Sequence, residues 1–240
     1  MGFLERIEEQ PGAAELRAES YRLLGLKRGA SVVDVGCGAG HAAEELAALR
    51  LKVTGLDADP EAVEAARTRV PGAMFHVAHS DDLPLADESM DGYRAVRLFH
   101  LLEDPVPTIA EAYRVLRPGG RIVVGGQDYG FLLIDSSDQD LTDVILLGLE
   151  SRSVAPRAVR NLRDLLLDAG FRDAEVVVHT DVVTDYAAMA PQLAAAATAA
   201  VDKALITRDD ADGWLAEQKE RGRRDRFLTV LPTLLVSARR

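Results

Sequence analysis

The sequence is poor in cysteine, in aromatic residues and in long apolar runs. It has one cysteine, Cys37, in 240 residues, and aromatic side chains make up 5% of the chain. A single cysteine excludes an intrachain disulfide and a metal site built from several thiolates. No apolar run approaches the roughly 18–20 residues that cross a bilayer, and the first residues lack the pattern of a signal or transit peptide. We therefore expect a cytoplasmic protein without a membrane partner.

Basic residues are also scarce relative to acidic ones. The chain has 28 lysines and arginines against 39 aspartates and glutamates, which gives a formal net charge of -11. This excess would repel a phosphate backbone, so we expect no nucleic-acid partner. With 48% apolar residues, the chain is long enough for one well-buried core. We expect a single domain over residues 1–240.

Short apolar runs alternate with helical patterns in the first half of the chain. The runs that predict strands are Ser31–Val35, Lys52–Leu56, Met74–Val77, Gly92–Arg97 and Arg121–Gly125. This alternation is typical of parallel βαβ units that are covered on both faces. It predicts an α/β fold with a doubly wound, Rossmann-like sheet, in which ligands bind at the carboxyl ends of the strands.

The second half of the chain has a looser pattern. "SVAPRAVRNLRDLLLDAG" predicts a helix that ends at Gly170, and two further strands are predicted at Ala174–His179 and Thr233–Ala238. Pro232 is expected to keep the last strand from beginning earlier. We therefore expect seven strands in a mostly parallel sheet, with the final strand antiparallel.

About fifty alanine-rich residues separate the last two predicted strands. They carry helical patterns around Leu193–Leu205 and Asp209–Gln218, and structureless loops of that length are rare. These helices could form an apolar lid over a pocket or simply cover the sheet. The expected division is an N-terminal helical lid at 1–28, a core at 29–180, a helical cap insert at 181–225 and the final strand at 226–240.

Three glycines follow the first predicted strand in "VVDVGCGAGH". Gly36, Gly38 and Gly40 suit a backbone that turns sharply into a helix and lets a ligand approach its amides. A dinucleotide fingerprint would place its third glycine at position 41, where this chain has His41. The loop predicts a nucleotide-type cofactor, with a plain strand-to-helix turn as the alternative.

A carboxylate stands at the end of the second predicted strand. Asp57 lies 21 residues after Gly36, and a carboxylate at this distance can accept two hydrogen bonds from a ribose diol. The alternative is an ordinary helix cap, but Asp59 already suits that task. Together, the loop and Asp57 favour a cofactor that contains ribose.

Five segments share the order and spacing of one enzyme family: "VVDVGCGAG", "GLDADPEAV", "HSDDLPL", "MDGYRAVRLFHLLEDP" and "EAYRVLRPGGRIVV". Over about Ser20 to Gly126 the chain resembles the class I S-adenosylmethionine-dependent methyltransferases, in particular small-molecule enzymes of quinone and natural-product biosynthesis. The resemblance implies S-adenosyl-L-methionine as cofactor and S-adenosyl-L-homocysteine as product. It also implies methyl transfer to an oxygen, nitrogen or carbon atom of a small, apolar or aromatic acceptor.

The same resemblance implies roles for individual residues. Asp34 and the loop Gly36–Gly40 would surround the methionine part, Asp57 would bind the ribose hydroxyls, and Ala58 would lie against the adenine. The implied cofactor-binding residues are Asp34, Gly36, Cys37, Gly38, Gly40, Asp57, Ala58, His79, Ser80, Asp81 and Arg97.

The chain departs from the family pattern at two of these positions. The family commonly has an aspartate where this chain has His79, so the adenine amino group would depend on the Asp81 carboxylate, with the Ser80 backbone amide meeting the ring. Arg97 would present its backbone carbonyl to the methionine ammonium, although a long basic side chain is not the usual choice there.

His100 is the candidate catalytic base, because it lies three residues past Arg97 and resembles the first histidine of the family's "LHH" variants. A base is needed only by an acceptor that starts protonated, and a structural histidine is the alternative. Gln127, Asp128 and Tyr129 follow the fifth strand on the expected rim of the site, or form a plain polar loop. Tyr21 is a candidate to close over the cofactor or to pack.

Several alternatives remain at this stage. The chain could use the cofactor's positive charge for a different reaction, such as cyclisation or elimination, or could be a non-catalytic partner subunit. An NAD-dependent oxidoreductase is disfavoured by His41. The remaining histidines show no metal-ligand spacing, so no metal is predicted. The sequence is compatible with a homodimer.

Overall fold

The protein is described by a computed structural model over residues 12–240. Within this range the strands are β1 (Ser31–Val35), β2 (Lys52–Asp57), β3 (Met74–Val77), β4 (Met90–Val96), β5 (Leu116–Gln127), β6 (Leu133–Ile134), β7 (Arg172–Val183) and β8 (Thr229–Arg239). The helices are α1 (Ala13–Leu24), α2 (His41–Ala48), α3 (Pro60–Arg69), α4 (Val106–Val115), α5 (Gln139–Glu150), α6 (Leu162–Asp168), α7 (Tyr186–Asp202) and α8 (Arg208–Arg223).

The strands form one sheet whose first five members are parallel. Their order is β3-β2-β1-β4-β5-β8, and β8 also pairs with β6 and β7. β8 runs antiparallel to β5, β6 and β7. The predicted doubly wound, mostly parallel sheet with an antiparallel final strand is confirmed. Over the described residues the sheet has eight strands rather than seven, because the two-residue β6 adds a short pairing to β8.

The parallel strands are covered on both faces. Val33 and Leu56 pack with Ile109 of α4 and Leu166 of α6 on one face. The other face packs on α1, α2 and α3 through a second cluster that includes Leu24, Leu46, Val63 and Val123. Burial of both faces explains why β1 and β2 are continuous runs rather than alternating ones.

The N-terminal helix α1 packs on the body of the protein. It contacts β4, β5 and β8, and Arg17 forms an ion pair with Glu45 of α2 at 2.8 Å. The Tyr21 hydroxyl donates to the same Glu45 carboxylate at 2.7 Å. Tyr21 thus packs against α2, which is one of its two predicted roles. Residues 1–11, the first part of the predicted lid, lie outside the described residues.

The cap contains one helix more than the sequence analysis assigned. α5 packs with α7 and α8 around a third core that includes Ile145, Leu193, Trp214 and Phe227. Trp214 donates its indole N–H to Thr142 Oγ1 of α5 at 2.9 Å. α5 precedes the predicted insert at 181–225. Asp138 caps its first turn, because the Asp138 side chain accepts from the Leu141 N–H. Leu193 and Trp214 are therefore buried in a core that is formed by the cap helices themselves.

Several predicted boundaries were wrong. The helix predicted from "SVAPRAVRNLRDLLLDAG" begins at Leu162, after a 3-10 turn at Ala158–Asn161. β8 begins at Thr229 and includes Pro232. This proline pairs with β7 only, because on its other side it lies between the residues that pair with β5 and those that pair with β6. A strand tolerates proline where one side is unpaired. The strand predicted at Arg121–Gly125 covers Leu116–Gln127, and its "RPGG" segment is a bulge where the pairing with β4 shifts register.

In the described part of the chain, no helix is both long enough and apolar enough to cross a membrane.

Candidate active site

The glycine loop joins β1 to α2 at the carboxyl edge of the sheet. Its three glycines have positive φ angles of 73° at Gly36, 50° at Gly38 and 84° at Gly40. This left-handed conformation costs little for glycine and roughly 1–2 kcal/mol for other residues. The predicted reason for the glycines, a sharp turn from strand to helix, is therefore confirmed.

Two of these glycines also allow close packing. A Cβ at Gly40 would lie 3.0 Å from both Cα and Cβ of Ala66, and a Cβ at Gly36 would lie 3.4 Å from the Leu98 side chain. Gly40 thus lets α2 and α3 approach each other. Gly36 brings the loop against the segment that follows β4.

The loop uses most of its backbone donors within the protein. The N–H groups of Gly36 and Cys37 both donate to the Leu56 carbonyl, at 2.8 and 3.0 Å, and the Gly40 N–H donates to the Cys37 carbonyl. The Gly38 N–H donates to an Asp57 carboxylate oxygen at 2.8 Å. A pyrophosphate needs such N–H groups free to point at it. The loop therefore fits a cofactor without phosphate better than a dinucleotide.

Asp57 lies at the end of β2, directly beside the loop. One carboxylate oxygen accepts from Gly38 and the other from the Asp59 N–H at 3.0 Å. Each carboxylate oxygen has a second lone pair, so Asp57 can still accept two bonds from a diol. Asp59 caps α3 through the Glu61 N–H, as the sequence predicted. The ribose role of Asp57 stays a prediction that this placement favours.

Asp34 is fully buried, in the sheet that carries the loop. It is the direct neighbour of Arg94 across β1 and β4, and the two side chains form an ion pair at 2.7 Å. Arg94 also donates to Ser20 of α1 at 2.9 Å. The pair links β1, β4 and α1 at the base of the loop. Arg94 is not among the predicted site residues, although a charge within the apolar run "GYRAV" is a usable signal.

Cys37 is a buried thiol within the loop. Burial, assisted by the carboxylates of Asp34 and Asp57, raises the pKa of the Cys37 thiol well above its usual range. A thiol held protonated is a poor nucleophile. Its Sγ also lies 3.0 Å from where a Cβ of Gly55 would be, so Cys37 fits the expectation of a small side chain.

The residues predicted to meet the adenine are on exposed turns beside Asp57. Ala58 and Asp81 are exposed, as is His79. Ser80 is half-buried and shares a hydrogen bond with Thr108 Oγ1 at 2.7 Å. The Ala78 N–H donates to the Asp57 carbonyl at 3.0 Å, which places both turns at one edge. Their contacts with adenine stay predictions.

A second group of predicted residues comes together after β4. Arg97, with φ 65°, donates its backbone N–H to the Gly125 carbonyl of β5 at 2.8 Å. His100 lies in the following 3-10 turn, and its ring meets Tyr129 edge to face at a centroid distance of 6.0 Å. The backbone carbonyl of His100 accepts from the Ala155 N–H at 3.0 Å. His100, Arg97 and Tyr129 therefore lie together at the carboxyl ends of β4 and β5.

Burial, with a smaller contribution from the Arg97 charge, lowers the pKa of His100 below its ordinary value. Its imidazole is therefore neutral at neutral pH and can accept a proton. Burial raises the pKa of the Tyr129 phenol, so its hydroxyl stays protonated and can donate a hydrogen bond. The two side chains offer an acceptor and a donor side by side.

The other two rim residues differ in role. Asp128 is buried and holds the loop together, because it pairs with Arg160 and accepts from the Gly130 N–H at 3.0 Å. Gln127, at the end of β5, is half-buried and pairs through its backbone register with Thr233. Asp128 is thus a structural residue beside the site, and a role for Gln127 in the site stays a prediction.

Groups of three or more potential metal ligands are absent from residues 12–240.

The chain matches known proteins in the region of this site. A family model described as a methyltransferase domain matches residues 33–124. An O-methyltransferase of Pyrenophora dematioidea is 30% identical over 190 residues, which cover 74% of this chain and 69% of that protein. An uncharacterized 37.1 kDa protein in transposon TN4556 of Streptomyces fradiae is 34% identical over 197 residues, which cover 77% of this chain.

The fold has a solved counterpart. Phosphoethanolamine N-methyltransferase 2 of Haemonchus contortus, in complex with S-adenosyl-L-methionine, superposes with a TM-score of 0.62 at 17% identity. The match covers 96% of this chain and 53% of that one. The chain also spans only 56% of the length of the Streptomyces fradiae relative. The sequence relationships and the shared fold show that this chain belongs to the class I S-adenosylmethionine-dependent methyltransferases.

Proposed function

We propose that this chain transfers a methyl group from S-adenosyl-L-methionine to an oxygen atom of a small organic acceptor, with His100 as the general base. The observation that carries this proposal is a neutral, largely buried histidine at the carboxyl end of β4, in the turn that begins beside Leu98 and the glycine loop. A hydroxyl acceptor starts protonated, so it is the kind of acceptor for which a base matters. The name of the Pyrenophora dematioidea relative, an O-methyltransferase, supports the same choice.

The residues of the loop fit this cofactor. Glycines at positions 36, 38 and 40 let the loop turn sharply beside Asp57, and the internal use of its N–H groups suits a group without phosphate. Asp57 would hold the ribose hydroxyls, and the loop would hold the methionine part. S-adenosyl-L-methionine supplies a methyl group that is already activated by its sulfonium charge.

The remaining task of the protein is to position the acceptor and to remove its proton. His100 would take the hydroxyl proton on its imidazole, while Tyr129 would donate a hydrogen bond that orients the acceptor. Arg97 lies close enough to lower the pKa of His100, and its charge would also favour a developing alkoxide or phenolate. The closeness of these three side chains supports the proposed steps.

Exposed apolar side chains lie close in sequence to the residues of this cluster. Leu101, Phe131 and Val154 are more than half exposed, at 57%, 58% and 59%. Leu101 follows His100 directly, and Phe131 lies two residues after Tyr129. Val154 precedes Ala155, whose N–H donates to the His100 carbonyl. Exposed large apolar side chains around a polar centre mark ligand-binding surfaces. They support the choice of an apolar or aromatic acceptor.

Replacing His100 with glutamine is expected to lower turnover about 100-fold to 10,000-fold, since the lost step is general-base catalysis. Affinity for S-adenosyl-L-homocysteine should stay unchanged. In the native chain, turnover should rise with pH through a midpoint below the ordinary pKa of histidine and reach its plateau at neutral pH, because only the neutral imidazole accepts the proton. Product formation measured by mass spectrometry tests both points.

The matched control is His76→Gln, which changes a half-buried histidine of β3 outside the cluster. Equal turnover in His100→Gln and native chain would remove His100 as the base. A product that lacks the added mass of a CH2 unit would remove methyl transfer itself and would favour cyclisation or elimination.

A further inference from the structure

A cavity lined by charged side chains lies at the opposite end of the strands from the candidate active site. It has a volume of about 420 Å³ and lies at the amino ends of β1, β4 and β5. One wall is the turn between α1 and β1, and the other is the bulge Pro118–Gly120 in β5. A cavity of this size suits a small ligand rather than a single water molecule.

The charge around this cavity is opposite to that of the whole chain. Four cationic side chains line it, together with a single carboxylate: Lys27, Arg28, Arg117, Arg121 and Asp91. The chain as a whole carries a net charge of -11. Four converging cations are therefore a local feature that overall composition does not explain.

Asp91 is already occupied by other partners. One of its oxygens accepts from the Ser31 N–H at 2.7 Å, and the other accepts from Arg117 at 2.6 Å. This arrangement neutralises Arg117. It leaves Lys27, Arg28 and Arg121, none of which forms a salt bridge with any residue in the range 12–240.

Arg121 carries the strongest signal. Its Nε is buried and has no hydrogen-bond partner in the described part of the protein. Its direct neighbour on β8, Arg239, pairs with Asp173 at 4.0 Å, so this exposed arginine has a carboxylate of its own. A buried donor without a partner costs free energy, and an anion bound at the Arg121 guanidinium would offset this cost.

We propose that this cavity is a binding site for a small molecule that carries a phosphate or diphosphate group. Arginine guanidinium groups match phosphate oxygens in a planar fork, and a lysine adds a point charge. Arg121 would bind the anion at the floor of the cavity, and Lys27 and Arg28 would bind it at the rim. The site is separate from the glycine loop and does not depend on the proposed methyl transfer.

Another explanation is that Arg121 only supports helix α1. Its Nη1 lies 3.6 Å from where a Cβ of Gly25 would be, at the C-terminal end of that helix. A positive charge at a helix C-terminus is favourable in itself. The two explanations differ in what they predict for anion binding, because helix support would change thermal stability alone.

Calorimetric titration of the full chain with inorganic pyrophosphate at low salt tests the proposal. We expect saturable binding at one site per chain, at least tenfold weaker in Arg121→Ala. Lys27→Ala/Arg28→Ala changes two exposed side chains and is expected to weaken binding several-fold without affecting folding. Arg226→Ala, an exposed arginine after α8, is the charge-matched control and should bind as the native chain does. S-adenosyl-L-homocysteine affinity should be the same in all variants.

Two results would overturn the proposal. The first is the absence of saturable pyrophosphate binding by the native chain. The second is native affinity in both Arg121→Ala and Lys27→Ala/Arg28→Ala, with a lowered melting temperature in Arg121→Ala, which would assign Arg121 to the support of α1.

Discussion

Replacing Arg94 with leucine is expected to lower the free energy of unfolding by about 3–5 kcal/mol, the range found when one partner of a buried ion pair is removed. Asp34 is 0% exposed and Arg94 is 5% exposed, so the carboxylate would lose its charge partner where water cannot replace it. Ser20 would lose its bond from Arg94 at the same time. Urea denaturation of the two chains measures the difference.

The pH dependence of this variant gives a second readout. Without Arg94, folding would favour the protonated form of Asp34, whereas the unfolded chain would titrate normally. A group whose pKa is raised by folding contributes stability at low pH that is lost as pH rises. The stability of Arg94→Leu relative to the native chain should therefore fall as pH rises above the ordinary pKa of aspartate, about 3.9.

The control is Arg223→Leu, which removes an exposed ion pair with Glu220 on α8. Exposed pairs contribute little, so this variant should unfold as the native chain does. An Arg94→Leu variant that is as stable as Arg223→Leu at all pH values would show that the buried pair does not anchor β1, β4 and α1.

Replacing Asp57 with alanine is expected to weaken binding of S-adenosyl-L-homocysteine by at least two orders of magnitude. Each hydrogen bond to a charged acceptor contributes about 1.5–3 kcal/mol, and a ribose diol would lose two of them. The loop would also lose the bond that its Gly38 N–H donates to Asp57. Calorimetric titration measures the loss of affinity directly.

Asp59→Ala is the matched control for Asp57. It removes the cap of α3 and is expected to cost about 1 kcal/mol of stability, while it leaves the Asp57 carboxylate in place. Asp59→Ala should therefore bind the ligand with native affinity. If both variants bind equally well, Asp57 does not hold the ribose.

The parts of the fold that the sequence predicts well are those set by neighbouring residues. β1 and β2 are short runs with four consecutive buried residues each, and Asp59 and Pro60 mark the start of α3. The glycine loop is equally local, because its positive φ angles exclude most other residues. The loop and Asp57 could therefore be recognised from the sequence, and their spacing supported the resemblance to the family.

The parts that the sequence did not predict depend on pairing between distant segments. Arg94 meets Asp34 only because β1 and β4 are adjacent in a fixed register, 60 residues apart. The internal use of the loop's N–H groups depends on where Leu56 and Asp57 end β2. Pro232 could enter a strand because the edge left by β5 and β6 has a gap there.

Contacts between distant segments also form the candidate active site and the cavity at the amino ends of the strands. His100 and Tyr129 are 29 residues apart in the sequence, and only the adjacency of β4 and β5 places their rings 6.0 Å apart. Arg121 and the turn that carries Lys27 and Arg28 are brought together by the amino ends of the parallel strands. The sequence places His100 and Tyr129 on the same rim but does not indicate the contact between their rings, and no local pattern indicates the grouping of Arg121 with Lys27 and Arg28.

Calorimetric titration of the native chain with S-adenosyl-L-homocysteine tests the central claim most directly. The geometry of the loop and of Asp57 predicts saturable binding at one site, which NAD⁺ does not displace. No binding by the folded chain, or displacement by NAD⁺, would contradict the assignment of the glycine loop to this cofactor.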